Sequence, residues 1–477
     1  MSVPGEYETS LFPSSGTRQR LERQLTQDLE DARRRIPEGL VTPTFDFAAF
    51  RNALSDFDFH TPKAMDDLLP WTIAQLEHGI VHLTHPRYFG LYNPMPTFAS
   101  ECADRIVAAF NPQLATFTTS PVPVEIEAHV IRAMGRRAGF SSAVSGHFTT
   151  GGAEANFTSL LCALTRAKPE FATAGARAFS GAPVFYVSRD SHLAWFKIAH
   201  QAGIGRTAVR LVDTDGTGRL DPDALETAIS DDRSKGNVPV MIVATAGTTN
   251  AGLIDPLNAC AKIAGNAGLW YHVDAAWGGA LIASERLRHR LADMERADSV
   301  TIDAHKWFAT TMGCGMFITP HRSVLSSTFH VSADFMPSSL EGLDPYVTSV
   351  QWSRRFLGLR LFLSLAAAGW PGYATHVERA IDLAKLLENR LAAKGWSIAN
   401  DTGLAVICAI PPSGSPPPRT VVEKILGTGR AWISVATFEG QDVVRICITH
   451  GTTSPADVMQ LADTLDAVLK AAREKPS

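Results

Sequence analysis

SVTIDAHKWF, residues 299–308, decides the fold. Val300, Thr301 and Ile302 read as a strand buried on both faces, and the run ends on Asp303 and then on Lys306, set between His305 and Trp307. A lysine at a strand end is costly to desolvate, because burial disfavours its charged form and pushes its pKa down. Most lysines keep the ammonium in water, so these residues alone favour a surface lysine. A neutral amine needed for chemistry is the reading that the rest of the chain has to support.

The same pattern extends outward in both directions. PVFYVS (183–188), TAVRLV (207–212), VPVMIVAT (238–245), LWYHVD (269–274) and GMFITP (315–320) are near-continuous apolar or β-branched runs, as doubly covered strands are. DPDALETAIS (221–230) and DPLNACAKIAGNAG (255–268) lie between them and open on Asp at N-cap positions. Strands alternating with helices predict an α/β domain with a mostly parallel central sheet over residues 96–372. Residues 1–95 read as a helical arm with little core of its own, in TRQRLERQLTQDLEDARRRI and MDDLLPWTIAQLEHGIVHL. Residues 373–477 read as a small α+β domain. It opens on the helix HVERAIDLAKLLENRLAAKG, continues through LAVICAI and the loop PPSGSPPP, and pairs WISVATF with VVRICIT before a closing helix. The stretch 323–352 is rich in Ser, Pro, Gly and Asp, and a connection of that length is functional or disordered.

A chain of 477 residues exceeds the roughly 250–300 that one core serves, which predicts two or three domains. The net charge of −4 offers no basic field, which argues against nucleic acid as a partner and for a small-molecule substrate. The six cysteines contain no C-x-x-C pair, which argues against zinc or a disulfide framework and predicts reduced thiols in a cytoplasmic protein. MSVPGEYETS has no secretory h-region, and even LRLFLSLAAAGW (359–370) is too short to span a bilayer, so no membrane association is expected.

Three segments bear on Lys306. FTTGGAEANFTSLLCAL (148–164) leads a Gly pair into a helix, and N–H groups at a helix start hold phosphate, although Gly-Gly alone is more often a turn. LWYHVDAAWGGA (269–280) delivers Asp274 at the carboxyl end of a strand, where ligands of open α/β sheets bind; a helix cap is an equal reading of that carboxylate. The small Ala275 and Ala276 leave room there for a flat ring. YVSRDSHLAWFKIAH (186–200) puts His192 just after another strand. A phosphate cradle, an imidazole, a strand-end carboxylate and a lysine 32 residues beyond it are the parts that pyridoxal phosphate needs.

TTGGAEAN, SRDSH, VATAGTT, HVDAAWGG and DAHKW, in this order, resemble the group II pyridoxal-phosphate-dependent amino-acid decarboxylases, a family that includes aromatic-L-amino-acid, glutamate and diaminobutyrate decarboxylases. The resemblance runs from about residue 80 to 455. It implies a type I aminotransferase-like fold, pyridoxal 5'-phosphate as cofactor and a homodimer whose active sites form at the subunit interface. By the same resemblance Lys306 is the Schiff-base lysine, Asp274 the partner of the pyridine nitrogen, His192 the stacked imidazole and Ala276 the packing on the other ring face. Thr248 lies near the cofactor; Gly151, Gly152 and Ala153, with Thr150 and His305, attend the phosphate. Asp303 stands where some animal enzymes have Asn.

YFGLYNPMPTFASECADRI and TTSPVPVEIE resemble the substrate entrance, making Tyr92, Asn93 and Phe117 candidates for substrate contact, with core packing the competing reading for the two aromatics. Tyr346, in the 323–352 stretch, is the candidate acid that protonates the α-carbon; its alternative is packing beside the loop hinge. The resemblance implies decarboxylation of an L-amino acid to its amine, with an aromatic substrate favoured and acidic or diamino acids open. Trp277 occurs in relatives acting on acidic substrates, whereas the entrance segment offers no arginine beyond Arg87 and Arg105. An aldehyde-forming decarboxylase, a retro-aldol lyase prompted by Asp303, and a non-catalytic binding protein are the alternatives.

Overall fold

The computed structural model describes residues 11–140, 144–331 and 344–473. At its centre is a seven-stranded sheet made of β1 (Ser145–Thr149), β2 (Pro183–Ser188), β3 (Val209–Val212), β4 (Val238–Thr245), β5 (Trp270–Asp274), β6 (Ser299–Asp303) and β7 (Gly315–Thr319). The spatial order is β1-β7-β6-β5-β4-β2-β3. All pairings from β6 to β3 are parallel, and β7 alone runs against both of its neighbours, β6 and β1. The expected mostly parallel sheet is therefore observed. β2, β5, β6 and β7 are buried along their whole length, which is why they read as continuous apolar runs rather than alternating ones.

The structure corrects the reading of several segments. TAVRLV begins as a single 3-10 turn, Arg206–Ala208, and only its last four residues are strand. β1, with the sequence SGHFT, lacks the β-branched signature of the others and escaped notice; Gly146 is required there, since a Cβ would lie 2.0 Å from the Phe317 carbonyl oxygen. Asp221 caps the helix Pro222–Ser234 as expected, accepting from the amides of Asp223 and Ala224. Asp255 does not cap its helix. It turns into the core, accepts from the Leu220 and Thr245 amides, and burial pushes its carboxyl up to about 6. The stretch 323–352 begins as helix, Arg322–Phe329, with Val324 and Leu325 buried; residues 332–343 lie outside the described residues.

The segment before the sheet forms the helices Ser15–Arg35, Phe47–Ser55 and Met65–Gly79, in which Ala32 is the single buried residue. Surface ion pairs, Arg20 with Asp66 and Arg35 with Glu77, join the first helix to the third, and such pairs contribute little. A second sheet near the C-terminus comprises β8 (Ser397–Ile398), β9 (Val406–Ile410), β10 (Ser434–Phe438) and β11 (Gln441–Cys447), all antiparallel in the order β10-β11-β9-β8. The two sheets are joined by the long helix Gly358–Ala392, bent at Gly369, whose φ of 63° and ψ of 176° are not helical. Pro371 follows within two residues and cannot supply a helical N–H, which fixes the bend there. Beyond it, Leu383, Leu387 and Leu391 enter the core of the small sheet with Ile407, Val444 and Ile446.

Among the described residues no helix is long and apolar enough to cross a membrane, and no cluster of His, Cys, Asp and Glu could hold a metal ion. All six cysteines are free thiols.

Candidate active site

The carboxyl ends of β4, β5 and β6 open onto a narrow cleft, with about 60 Å³ of enclosed space, lined by Thr245, Asp274 and Asp303. Thr245 and Asp274 face each other across the β4–β5 register, and Asp303 ends the next strand. The helix Gly152–Ala167 points its first turn at the same place, so its leading N–H groups, which no helical carbonyl can take, face the cleft. A Cβ at Gly152 would lie 2.8 Å from Asp303 Oδ2 and 3.3 Å from Ala276 Cβ. The missing side chain is therefore what leaves room for a ligand at the helix start.

Lys306 reaches the cleft from a tight turn after β6. Its amide donates to the Asp303 carbonyl, Ala309 donates back to the Lys306 carbonyl, and Ala309 takes a φ of 52° to complete the reversal. The Nζ lies 3.1 Å from Asp303 Oδ2, on a carboxylate 2% exposed. The cost of a half-buried lysine is therefore met by a counter-charge three residues earlier rather than borne by the amine alone. His305 Nε2 stands 3.9 Å from the same carboxylate, while its Nδ1 accepts from the Cys314 amide. Burial holds the His305 imidazole below its ordinary pKa, with Asp303 acting in the opposite direction.

Asp274 is buried at the cleft floor, where Oδ2 accepts from Asn156 Nδ2 at 2.7 Å and Oδ1 from the Ala276 amide at 3.1 Å. His192 stands exposed at the mouth, its Nδ1 accepting from the Ala194 amide at 3.1 Å. The protein packed beneath it lowers its pKa, and Asp274 opposes that shift. Ala276 lines the cleft as well. Tyr92 and Trp277 form an aromatic wall with ring centroids 4.4 Å apart. The Tyr92 hydroxyl donates to the Thr249 carbonyl at 2.9 Å and the Arg445 guanidinium packs on its ring, so that Tyr92 is braced from behind.

Lys306, Asp274, His192, Ala276, Gly152, Ala153 and Tyr92 thus border one cleft. Other candidates do not. Thr248 is buried in the adjoining turn, its hydroxyl accepting from the Leu253 amide, and its neighbours Thr245, Gly247 and Thr249 line the cleft instead. Thr150 gives both its amide and its hydroxyl to Glu154. Gly151 packs near His305, where a Cβ would sit 3.3 Å from Cε1. Asn93 contacts the His305 carbonyl and Met312 Sδ beside the cleft. The Phe117 amide donates to Asp344, and the Tyr346 amide to the Ala115 carbonyl, with the Tyr346 ring 4.9 Å from that of Trp352. Neither aromatic borders the cleft of its own chain.

Sequence reading passed over Asn156, His272 and Arg445. Asn156 was legible in principle: it follows Gly152 by four residues on the same helix, and so faces the same way. His272 and Arg445 lie inside strands and carry no local signal.

A glycine-floored anion cradle, an amine and a buried carboxylate across one narrow cleft fit pyridoxal phosphate. Comparisons with known proteins agree. Residues 54–409 match the family model described as the pyridoxal-dependent decarboxylase conserved domain. The chain is 26% identical over 441 residues to the aromatic-L-amino-acid decarboxylase of Bacillus atrophaeus, covering 90% of each. It is 32% identical over 343 residues to the acidic amino acid decarboxylase GADL1 of Bos taurus, covering 70% of this chain and 65% of the relative. The crystal structure of Oryza sativa TDC with PLP and tryptamine shares the fold, with a TM-score of 0.91 at 20% identity over 98% of this chain and 99% of that one.

Proposed function

Because the chain belongs to the pyridoxal-dependent decarboxylase family and is an amino-acid carboxy-lyase that uses pyridoxal phosphate, we propose that its substrate is an aromatic L-amino acid, converted to the corresponding amine and carbon dioxide. The observation that carries this choice is the cleft wall. Tyr92 and Trp277 are packed against each other at its edge and bring no charge, and among the described residues Lys306 and His192 are the only basic side chains that border the cleft. Asp274 and Asp303 already place two carboxylates there. A third, brought by an acidic side chain without a further cation, would be desolvated at a cost of several kcal/mol.

Bound pyridoxal phosphate supplies an electrophilic carbon and a conjugated ring that takes up the electrons left as carbon dioxide departs. Lys306 Nζ would be the amine for that carbon, with Asp303 holding the nitrogen at 3.1 Å while it is free. Asp274 would hold a proton at the ring nitrogen, His192 and Ala276 would flank the ring, and the amides of Gly152 and Ala153, with His305 behind them, would hold the phosphate. Within one chain Lys306 Nζ is the group placed to return the proton to the α-carbon, since Tyr346 packs outside that chain's cleft.

The chain works as a homodimer. This reading is supported by a groove beside the helix Phe98–Phe110, bordered by Ile106, Phe356 and Leu359, next to which Phe110 and Val122 are 81% and 65% exposed. Contiguous apolar surface of this kind marks an interaction face, and the molecular mass in solution tests it.

Carbon dioxide release from a panel of L-amino acids tests the substrate. Release from tryptophan, tyrosine or phenylalanine, with little from glutamate, aspartate, cysteine sulfinate or 2,4-diaminobutyrate, is the expected result. The reverse order overturns it.

A further inference from the structure

Asp274 is the end of a buried line of hydrogen bonds that runs through the sheet. Asn156 Nδ2 donates to Asp274 Oδ2 at 2.7 Å, and Asn156 Oδ1 lies 3.0 Å from His272 Nε2. His272 Nδ1 lies 2.8 Å from Ser299 Oγ, which accepts from Trp270 Nε1 at 2.9 Å. Asp274, at 6%, is the most exposed of these five residues, so water does not compete for any of the bonds.

The carboxylate fixes the direction of the line, because it can only accept. Asn156 therefore turns its NH2 to Asp274 and its Oδ1 to His272 Nε2, which carries the hydrogen. In a neutral ring Nδ1 is then the bare nitrogen and takes the Ser299 hydroxyl hydrogen, while Ser299 Oγ accepts from Trp270. Burial pushes the His272 imidazole down to about 4, in keeping with a neutral ring.

An aspartate side chain has a broad, soft terminal torsion, and a bond to the charged carboxylate is among the stronger protein hydrogen bonds. We propose that Asn156 and His272 are positioning residues that set the plane of the Asp274 carboxylate and so secure the proton that it shares with the cofactor's ring nitrogen. This rests on the reading of Asp274 as the partner of that nitrogen.

The test measures two properties of the protein with pyridoxal phosphate: the dissociation constant of the cofactor and the pH midpoint of its visible absorbance band. Asn156→Leu should weaken binding at least tenfold and move the midpoint by half a unit or more. His272→Gln, whose amide retains a donor toward Asn156, should change the dissociation constant by less than threefold, whereas His272→Phe should resemble Asn156→Leu. In an Asp274→Asn background Asn156→Leu should add less than twofold, because its effect passes through Asp274. An unchanged constant and midpoint in Asn156→Leu, or an equal loss in the Asp274→Asn background, overturns the proposal and leaves the role of Asp274 standing. If Asp274→Asn itself matches wild type in both measurements, the underlying reading fails. Should Asn156→Leu lose its far-ultraviolet dichroism, the comparison of His272→Gln with His272→Phe decides the matter alone: equal behaviour of the two overturns the proposal.

Discussion

Lys306 Nζ and Asp303 Oδ2 lie 3.1 Å apart at the end of one strand, so the segment that delivers the amine also delivers its counter-charge. With only two residues between them in sequence, the pair is fixed by the local turn and does not depend on packing from elsewhere.

Lys306→Met should abolish both the visible cofactor band and carbon dioxide release. In the cofactor-free protein it also leaves the buried Asp303 with, among the described residues, no ion-pair partner but the His305 imidazole at 3.9 Å, whose charge burial disfavours, a loss of about 1–3 kcal/mol in urea unfolding. Adding Asp303→Asn should recover part of that loss. A double variant no more stable than Lys306→Met would show that the pair has no energetic weight.

Gly152→Ala sets two effects against each other. In a helix Ala is favoured over Gly by about 1 kcal/mol, yet its Cβ would meet Asp303 Oδ2 at 2.8 Å in the cradle. The variant should unfold no more readily than wild type while binding pyridoxal phosphate at least tenfold more weakly by fluorescence titration. Unchanged affinity would remove Gly152 from the phosphate site.

Four buried histidines make the fold acid-sensitive. Burial lowers His85, His272 and His450 to about 4, and His147 to about 3. A depressed folded pKa means that the unfolded chain binds more protons below about 6.5, so stability is complete above that pH and is lost as pH falls through 6.5 toward 4. Each imidazole contributes a loss of roughly 1.4 kcal/mol per pH unit in that window. Asp255, with its raised pKa, gives the opposite slope between about 4 and 6 and offsets part of the loss. Urea midpoints should stay level from pH 7.5 to about 6.5 and fall from there to pH 5; a profile flat throughout would contradict the burial of neutral imidazoles.

Tyr346→Phe should keep carbon dioxide release within threefold of wild type and still yield the amine, because the ring packs on Trp352 away from the cleft. A hundredfold loss, or an aldehyde product, would return the proton-donor role to Tyr346.

The parallel sheet was legible because doubly buried strands must be apolar throughout, and the residues at their carboxyl ends, Asp274 and Lys306, stood out against that background. The chain fell short where a residue's part depends on a distant partner. Asp255 looks like a helix cap in sequence, yet the Leu220 and Thr245 amides draw it inward. β1 is held by register with β7 rather than by propensity. Thr150 sits beside the glycines in sequence but spends its donors on Glu154. His272 contacts Asn156 across 116 residues, a separation that no local pattern encodes.

The bent helix Gly358–Ala392 has a mechanical side. Just past its bend, Tyr373 donates to the Phe308 carbonyl at 3.0 Å and His376 Nε2 lies 3.1 Å from the Trp307 carbonyl, the two peptides that follow Lys306. Three turns further on, the same helix is embedded in the small sheet through Leu383, Leu387 and Leu391. One stretch of helix beyond the bend at Gly369 thus holds both. A swing of the small sheet would pull first on the backbone that carries the reactive amine, so seating the lysine and seating the C-terminal sheet amount to one movement.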